Sequence, residues 1–176
     1  MDIGRIEALA LRPSLAAPPV RVERVRAIAY QGLEGDVHAD PLSPRQLLLA
    51  GTDAYDAFAL PPHALRENLL VDVDTSRLAS GTVLQVGDGV LLRLMFQCEA
   101  CGHLDAHHAG LSTRIGTRRG MLARVLRGGE IRTGDRIRTA GAPLPAWSDD
   151  WRERIVHVLD TLPPASVTWS SWRRTC

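Results

Sequence analysis

Residues 82–96 constrain the fold more than any other part of the sequence. Two runs rich in aliphatic and β-branched residues, 82–86 and 90–96, flank the sequence Gly-Asp-Gly at 87–89, which is typical of a tight turn between antiparallel strands. In the second run, apolar side chains occupy odd and even positions alike, so a strand there would be apolar on both faces. Such a strand must be covered on both sides. The sequence therefore predicts a hairpin whose second strand lies in the middle of the core.

Other segments also indicate a mainly β (α+β) fold. Residues 20–28 alternate between apolar and polar side chains, the pattern of a half-buried strand. Residues 121–126 and 131–133, separated by Gly128-Gly129, predict a second hairpin. Several short strands with frequent glycine turns are typical of a barrel or a sandwich.

Only a few helices are expected. Thr52 is predicted to cap a short helix that runs to Phe58 and ends before two prolines. A clearer helix is predicted at residues 149–161, where one stripe is apolar. The stripe consists of Trp151, Ile155, Val158, Leu159 and Leu162. Because Pro and Gly interrupt the chain just before it, we divide the sequence into one domain at 1–140 and a linker, helix and tail at 141–176 that pack on the domain.

The charge of the chain argues against two classes of partner. The 176 residues carry a formal net charge of only +1, so no global basic field exists to hold nucleic acid or an anionic membrane. All 21 basic residues are arginine, which makes any single arginine less informative. No apolar run approaches the roughly 20 residues that a membrane span needs. Without an export signal, three cysteines predict free thiols in the cytoplasm.

The cysteine-rich segment after the core strand admits several interpretations. Cys98 and Cys101 have the spacing of a zinc knuckle, which His103, His107 or His108 could complete. A redox dithiol is a second interpretation. A third is a single nucleophilic or metal-binding thiolate at the strand end, with Cys98 buried. The plainest alternative is that both cysteines are small core side chains.

Polar groups elsewhere could bind an anionic ligand. The sequence at 32–38 surrounds Asp36 and His38 with glycines, which would bring backbone N–H groups close to a ligand, although an ordinary turn explains it equally well. Arginines at 45, 66 and 118–119 offer bidentate forks for phosphate. Each of them alone could instead be a surface ion pair.

Taken in order, these sequences resemble the MOSC domain family, the module found at the C-terminus of molybdenum-cofactor sulfurases and as free-standing bacterial proteins. The resemblance covers roughly residues 3–139, and no single piece of it is specific. The pieces are Gly32 to His38, Arg45-Gln46, Glu67-Asn68-Leu69, Gly81 to Gly87, Cys101, Arg119-Gly120, Gly128-Gly129 and Gly134-Asp135.

The resemblance implies a MOSC-like β-barrel with a pocket for a molybdenum–pterin cofactor, or a sulfur-transfer role, with a family association to pyridoxal phosphate. It implies that Cys101 is both the catalytic residue and the metal ligand, for which a soft thiolate is suited. The residues that the resemblance and the residue chemistry together assign to the cofactor or a small substrate are Asp36, His38, Arg45, Asn68, Arg118 and Arg119.

Two features depart from the family pattern. Ala100 stands where most members have Pro, and Cys98 is not part of the common pattern, which keeps the zinc and dithiol alternatives open. We therefore expect a cofactor-dependent enzyme or a sulfur carrier, served by a redox or sulfur-donor protein. The competing hypothesis is a non-catalytic binding module that recognises a ligand or partner through its Trp-rich tail.

Overall fold

The structure is a computed structural model that describes residues 1–106 and 108–161. The strands are β1 (Asp2–Leu11), β2 (Val20–Val22), β3 (Arg24–Ile28), β4 (Gly32–Leu33), β5 (Leu47–Gly51), β6 (Leu69–Val71), β7 (Val83–Val86), β8 (Val90–Gln97), β9 (Met121–Arg127), β10 (Gly129–Arg132) and β11 (Arg136–Thr139). The helices are α1 (Thr52–Phe58), α2 (Leu111–Arg114) and α3 (Trp151–Thr161). Short 3-10 turns occupy Thr75–Arg77, Gly102–Ala106 and Gly116–Arg119.

Seven strands form a closed barrel, which confirms the expected mainly β fold. Neighbouring strands pair in the order β11-β7-β8-β9-β5-β6-β1, and the start of β1 pairs again with β11 to close the ring. Only β5 and β6 run parallel; the other barrel pairs are antiparallel. Because closure pairs the two outermost strands, the barrel has no free edge.

The predicted core hairpin is confirmed. β7 and β8 pair antiparallel, with Val86 opposite Val90 across the turn. β8 lies between β7 and β9, and its side chains are buried in two separate clusters. Val90, Leu92 and Leu94 fill the barrel interior, whereas Met95 and Phe96 pack in the second cluster. The absence of polar alternation in this strand therefore reflects burial on both faces.

The second predicted hairpin is wrong in its pairing. Residues 121–127 and 129–132 are strands, but β10 pairs with β3 in a separate three-stranded sheet that also contains β4. A Cβ at Gly128 would lie 2.6 Å from the carbonyl oxygen of Ala27, so this glycine lets the chain cross close to β3. The predicted strand at 20–28 is also interrupted, at Glu23, into β2 and β3.

The predicted helices form, with changes at their ends and faces. α1 starts at Thr52, but the N-cap is Gly51 and no side chain caps the helix, so the predicted capping role of Thr52 is wrong. In α3 the fully buried side chain is Arg154, whereas Trp151 and Leu159 of the predicted apolar stripe are exposed. Leu162 and the rest of the Trp-rich tail lie outside the described residues.

The segment before α3 lies against the outside of the barrel. The Trp147 ring stacks on Phe96 with 6.2 Å between centroids, and the Leu144 amide donates to the Gly81 carbonyl at 2.8 Å. None of the helices in the described ranges combines the length and the apolar character needed to cross a membrane.

Candidate functional site

A cavity of about 180 Å³ opens at one end of the barrel, where β1 and β8 end and β5, β6 and β9 begin. Its apolar floor comes from Leu47, Leu48 and Leu122. The polar and sulfur-containing side chains that line it are Arg12, His38, Arg45, Arg66, Asn68, Cys98, Cys101, His103 and Arg119. Among the described residues, four guanidinium groups and no carboxylate line this cavity, which makes it suited to an anion.

Five of the seven predicted site residues line this one cavity: His38, Arg45, Asn68, Cys101 and Arg119. Asp36 lies just behind the wall, because its carboxylate accepts hydrogen bonds from three lining residues, one of them the Arg12 amide at 2.8 Å. Its Oδ2 accepts from the Asn68 side chain at 2.8 Å, and its Oδ1 accepts from the His38 amide at 2.9 Å. The hydrogen bond from the His38 amide forms an Asx turn, so Asp36 stabilises the local backbone, as in the ordinary turn that was the alternative interpretation of this sequence.

Asn68 connects the elements around the cavity. Its Nδ2 group donates to Asp36 and to the Ala10 carbonyl at 3.2 Å, and its Oδ1 accepts from the Leu48 amide at 3.0 Å. Both amide donors are therefore used within the protein. Burial alone would raise the pKa of Asp36, but hydrogen bonds from His38 and Arg12 lower it below its ordinary value. The Asp36 carboxylate therefore stays charged at neutral pH and accepts the hydrogen bond from Asn68.

Two of the four lining arginines, Arg12 and Arg119, are buried. Arg119 is 5% exposed, and its Nε and Nη1 atoms have no hydrogen-bond partner among the described residues. The Nε of Arg12, also buried, lacks a partner within the same part of the chain. Burial and the charge of Arg66 lower the pKa of Arg12, while Asp36 opposes that change. Buried donors without partners are costly, so an anion in the cavity would relieve both groups.

Arg118 and Arg119 are adjacent but reach different places. The Nε of Arg118 lies 3.5 Å from Oδ2 of Asp53, and its side chain, 49% exposed, is not among those that line the cavity. Arg119 enters the cavity because Gly120 lets the backbone pass close to β5. Gly120 has φ +119°, and a Cβ there would lie 2.3 Å from the Leu49 carbonyl oxygen.

A buried carboxylate, Glu67, precedes Asn68 in the chain and is not among the side chains that line the cavity. The Tyr55 hydroxyl donates to Glu67 at 2.6 Å, and the His63 Nδ1 lies 3.1 Å from the same carboxylate. Burial, followed by the charge of Glu67, raises the pKa of Tyr55, which keeps this hydroxyl protonated as a donor. The hydrogen bond to Glu67 raises the pKa of His63 despite its partial burial.

The two cysteines differ in exposure, as the sequence predicts. Cys98 is 6% exposed and Cys101 is exposed, and both are free thiols. Both still line the cavity. The Cys101 Sγ lies 2.9 Å from Nδ1 of His103, a contact suited to proton exchange between thiol and imidazole. In the described residues, which leave out His107, no group of three or more His, Cys, Asp and Glu side chains could hold a metal ion.

Sequence reasoning missed Arg12 altogether. It follows the apolar end of β1 and has no motif around it, so nothing in the sequence separates it from the other arginines. Arg66 and His103, which the sequence offered as a phosphate-binding arginine and a possible zinc ligand, also line the cavity. Arg66 has φ +53°, a left-handed conformation that a non-glycine residue rarely adopts outside a constrained site.

Comparisons with known proteins agree with this architecture. The structure is similar to the crystal structures of the YuaD protein from Bacillus subtilis (TM-score 0.67, 18% identity, 76% of this chain and 93% of that one) and of YiiM from Escherichia coli (0.62, 17%, 97% and 90%). It also resembles YiiM from Geobacillus stearothermophilus (0.65, 14%, 98% and 97%). At these identities the likeness concerns the fold. A search of curated proteins finds no match.

A family model decides the classification. The model of the MOSC domain matches residues 39–138, more than half of the chain, and this range includes most of the cavity wall. The chain belongs to the MOSC domain family.

Proposed function

We propose that the arginine-lined cavity binds the phosphate end of a molybdenum–pterin cofactor and that Cys101 supplies the thiolate that ligates the metal. The protein would then reduce a small substrate. The observation that carries this proposal is Arg119, a buried guanidinium whose Nε and Nη1 have no partner among the described residues and which shares a cavity with an exposed thiol.

The residues present fit such a group. The four lining arginines provide charge and forked donors for phosphate oxygens, and in the part of the chain that the structure describes no lining carboxylate competes with the ligand. A thiolate is a soft ligand suited to a transition metal. Bound there, the group would supply two-electron oxygen-atom chemistry. The protein would hold its charge through the arginines and accept or return a proton at His103.

Asn68 and Asp36 have positioning roles in this proposal. Both Asn68 amide donors are committed to the protein, so Asn68 fixes the separation of β1 and β5 at the cavity wall. Asp36 orients His38, whose Nδ1 lies 3.0 Å from its carboxylate. Arg118 is left without a direct role, because its side chain pairs with Asp53.

Sulfur carriage is the second candidate function. The 2.9 Å contact between the Cys101 thiol and His103 favours it, because the imidazole can take the thiol proton as Cys101 attacks the outer sulfur of a donor persulfide and the donor's thiolate leaves. A persulfide on Cys101 would lie beside the same arginines. Either function calls for a redox or sulfur-donor partner in the cytoplasm, where both thiols stay reduced. A non-catalytic binding module would need neither metal nor persulfide.

Metal and persulfide analysis of the purified full-length protein, produced in cells that make the cofactor, tests this proposal. We expect molybdenum at a stoichiometric level in the unmodified protein and its loss in Cys101→Ser. Arg119→Gln should lower molybdenum occupancy tenfold or more, because a charged hydrogen bond contributes about 1.5–3 kcal/mol. Arg118→Gln is the matched control and should retain the metal.

The other outcomes assign the alternatives. Persulfide on Cys101 without molybdenum would support sulfur carriage. Zinc that is lost equally from Cys98→Ser and Cys101→Ser would mean that the cysteine pair is a metal knuckle and that the proposal is wrong. A protein that carries neither metal nor persulfide would support the third alternative, a non-catalytic binding module.

A further inference from the structure

One buried cation joins the C-terminal helix to the loop that carries Cys101. Arg154 of α3 is 2% exposed, although its helix lies outside the barrel. Its Nη1 donates to the carbonyl oxygens of Ser148 at 3.0 Å and Asp149 at 2.8 Å, and its Nη2 forms an ion pair with Glu99. Glu99 lies between Cys98 and Cys101, so the contact holds the cysteine loop itself.

The neighbouring contacts follow the same stretch of chain. The Arg154 guanidinium lies 4.0 Å from the centre of the Phe96 ring. The amide of Gln97 donates to the Asp149 carboxylate at 2.8 Å. Phe96 and Gln97 form the end of β8, and Glu99 belongs to the start of the cysteine loop. The segment at 148–154 therefore contacts three of the five positions from 96 to 100.

Packing of the helix alone does not account for an arginine at this position. Burying a guanidinium requires that its charge and donors be compensated, and an apolar side chain of similar volume would pack at lower cost. Meanwhile Trp151 and Val156 of the same helix remain exposed. The sequence thus places a cation at the contact and leaves apolar side chains outside, which suits a directed interaction with Glu99.

We propose that Arg154 is a positioning residue that holds the Cys98–Cys101 loop so that Cys101 faces the arginine-lined cavity and stays in contact with His103. An effect of Arg154 on turnover rests on the proposed function, whereas the contact between Arg154 and Glu99 does not depend on it. Through Arg154, whatever binds or moves α3 changes the geometry of the reactive thiol. The helix is then part of the site and not an appendage to it.

Hydrogen exchange and thiol alkylation of the full-length protein, with no cofactor added, test this inference. In Arg154→Met, amides at 99–104 should exchange at least tenfold faster, since the loop loses its outer anchor, while β5 and β9 stay protected. The pH–rate profile of Cys101 alkylation should change shape, because it reports the Cys101–His103 contact. Arg154→Lys should restore both toward the unmodified protein.

Glu99→Ala approaches the same contact from the solvent side and does not threaten the fold, because the Glu99 side chain is 44% exposed. It should reproduce both effects, and the double variant should add little beyond either single change, as expected for one shared interaction. Arg152→Met is the matched control: Arg152 is a cation of the same helix with a 72% exposed side chain, and its loss should change neither measurement.

A loop that exchanges as before in Glu99→Ala, with an unchanged alkylation profile, would overturn the inference even if Arg154→Met fails to fold. A lowered melting temperature without any change at Cys101 would mean that Arg154 only packs the helix. Because no cofactor is involved, these results are independent of whether molybdenum is found.

Discussion

Cys98 and Cys101 line the same cavity but differ in access to solvent. Reactivity follows thiolate fraction and exposure together, and only Cys101 is exposed and in contact with an imidazole. We expect iodoacetamide at pH 7 to label Cys101 at least tenfold faster than Cys98 in the full-length protein, as measured by peptide mass spectrometry over time. Cys101→Ser should leave Cys98 as slow as before.

Equal labelling rates for the two thiols would contradict this assignment, because the barrel packing that covers Cys98 would then be too loose to protect it. Cys98 packs with Met95, Phe96 and Leu122. Unfolding the protein in denaturant should equalise the two rates, which provides the control for intrinsic reactivity.

At the scale of single residues, the family resemblance predicts which distant residues lie close together, and sequence spacing alone does not. His38, Arg45, Asn68, Cys101 and Arg119 share a cavity although they are spread over about half of the chain. Side-chain direction was not predictable: Arg118 and Arg119 follow each other in a 3-10 turn and only one enters the cavity. An alternation of polar and apolar side chains would have signalled this direction in a strand, but a short turn has no such period.

At the scale of elements, the entry into β9 depends on one glycine. Gly120 combines φ +119° with a virtual Cβ only 2.3 Å from the Leu49 carbonyl oxygen, so Gly120→Ala must displace either β9 or β5. We expect a loss of at least about 3 kcal/mol in the free energy of unfolding, measured by urea titration, because backbone strain and steric overlap add.

Gly116→Ala is the matched control for this prediction. Gly116 lies in the same turn and has φ +55°, but a Cβ there meets nothing within 4 Å. It should cost only the conformational penalty of about 1–2 kcal/mol. Equal losses from both substitutions would mean that the close approach to Leu49 does not constrain the turn.

Elements were predictable where burial imposes a pattern. β8 is apolar on both faces because it lies between two neighbours inside the barrel, and its bounds differ from the prediction by one residue. The partner of β10 was not predictable from a Gly-Gly turn, since the same sequence serves a hairpin or a crossing to another strand. The close approach of Gly128 to Ala27 favours the crossing over the hairpin. Because this contact joins residues far apart in the sequence, the local sequence does not reveal it.

At the scale of the whole molecule, a pair of charged side chains determines how α3 packs on the barrel. The apolar stripe of α3 suggested that the helix packs through Trp151 and Leu159, yet Arg154 makes the buried contact. Hydrophobic periodicity could not reveal this, because the partner of Arg154 is Glu99, which lies 55 positions away. Two further titratable groups, Asp36 and His63, connect global stability to pH.

The pKa of Asp36 is lowered in the folded protein from an ordinary value of 3.8, and that of His63 is raised from 6.5. The stability that Asp36 contributes is present above pH 3.8 and is lost as the pH falls through its lowered pKa. The stability that His63 contributes is present below pH 6.5 and is lost as the pH rises through its raised pKa. Both contributions are complete only between about pH 4 and 6.5.

We therefore expect the free energy of unfolding, from urea titrations at constant ionic strength, to be greatest between about pH 4 and 6.5. His63→Gln should remove the decrease on the alkaline side, and Asp36→Asn should reduce the decrease on the acidic side. Each variant should leave the decrease on the other side unchanged, because the two groups have different partners. His63 contacts Glu67, whereas Asp36 contacts Asn68 and His38. Stability that keeps rising above pH 7 in the unmodified protein, or a decrease on the alkaline side that survives His63→Gln, would show that the hydrogen bond to Glu67 does not raise the pKa of His63.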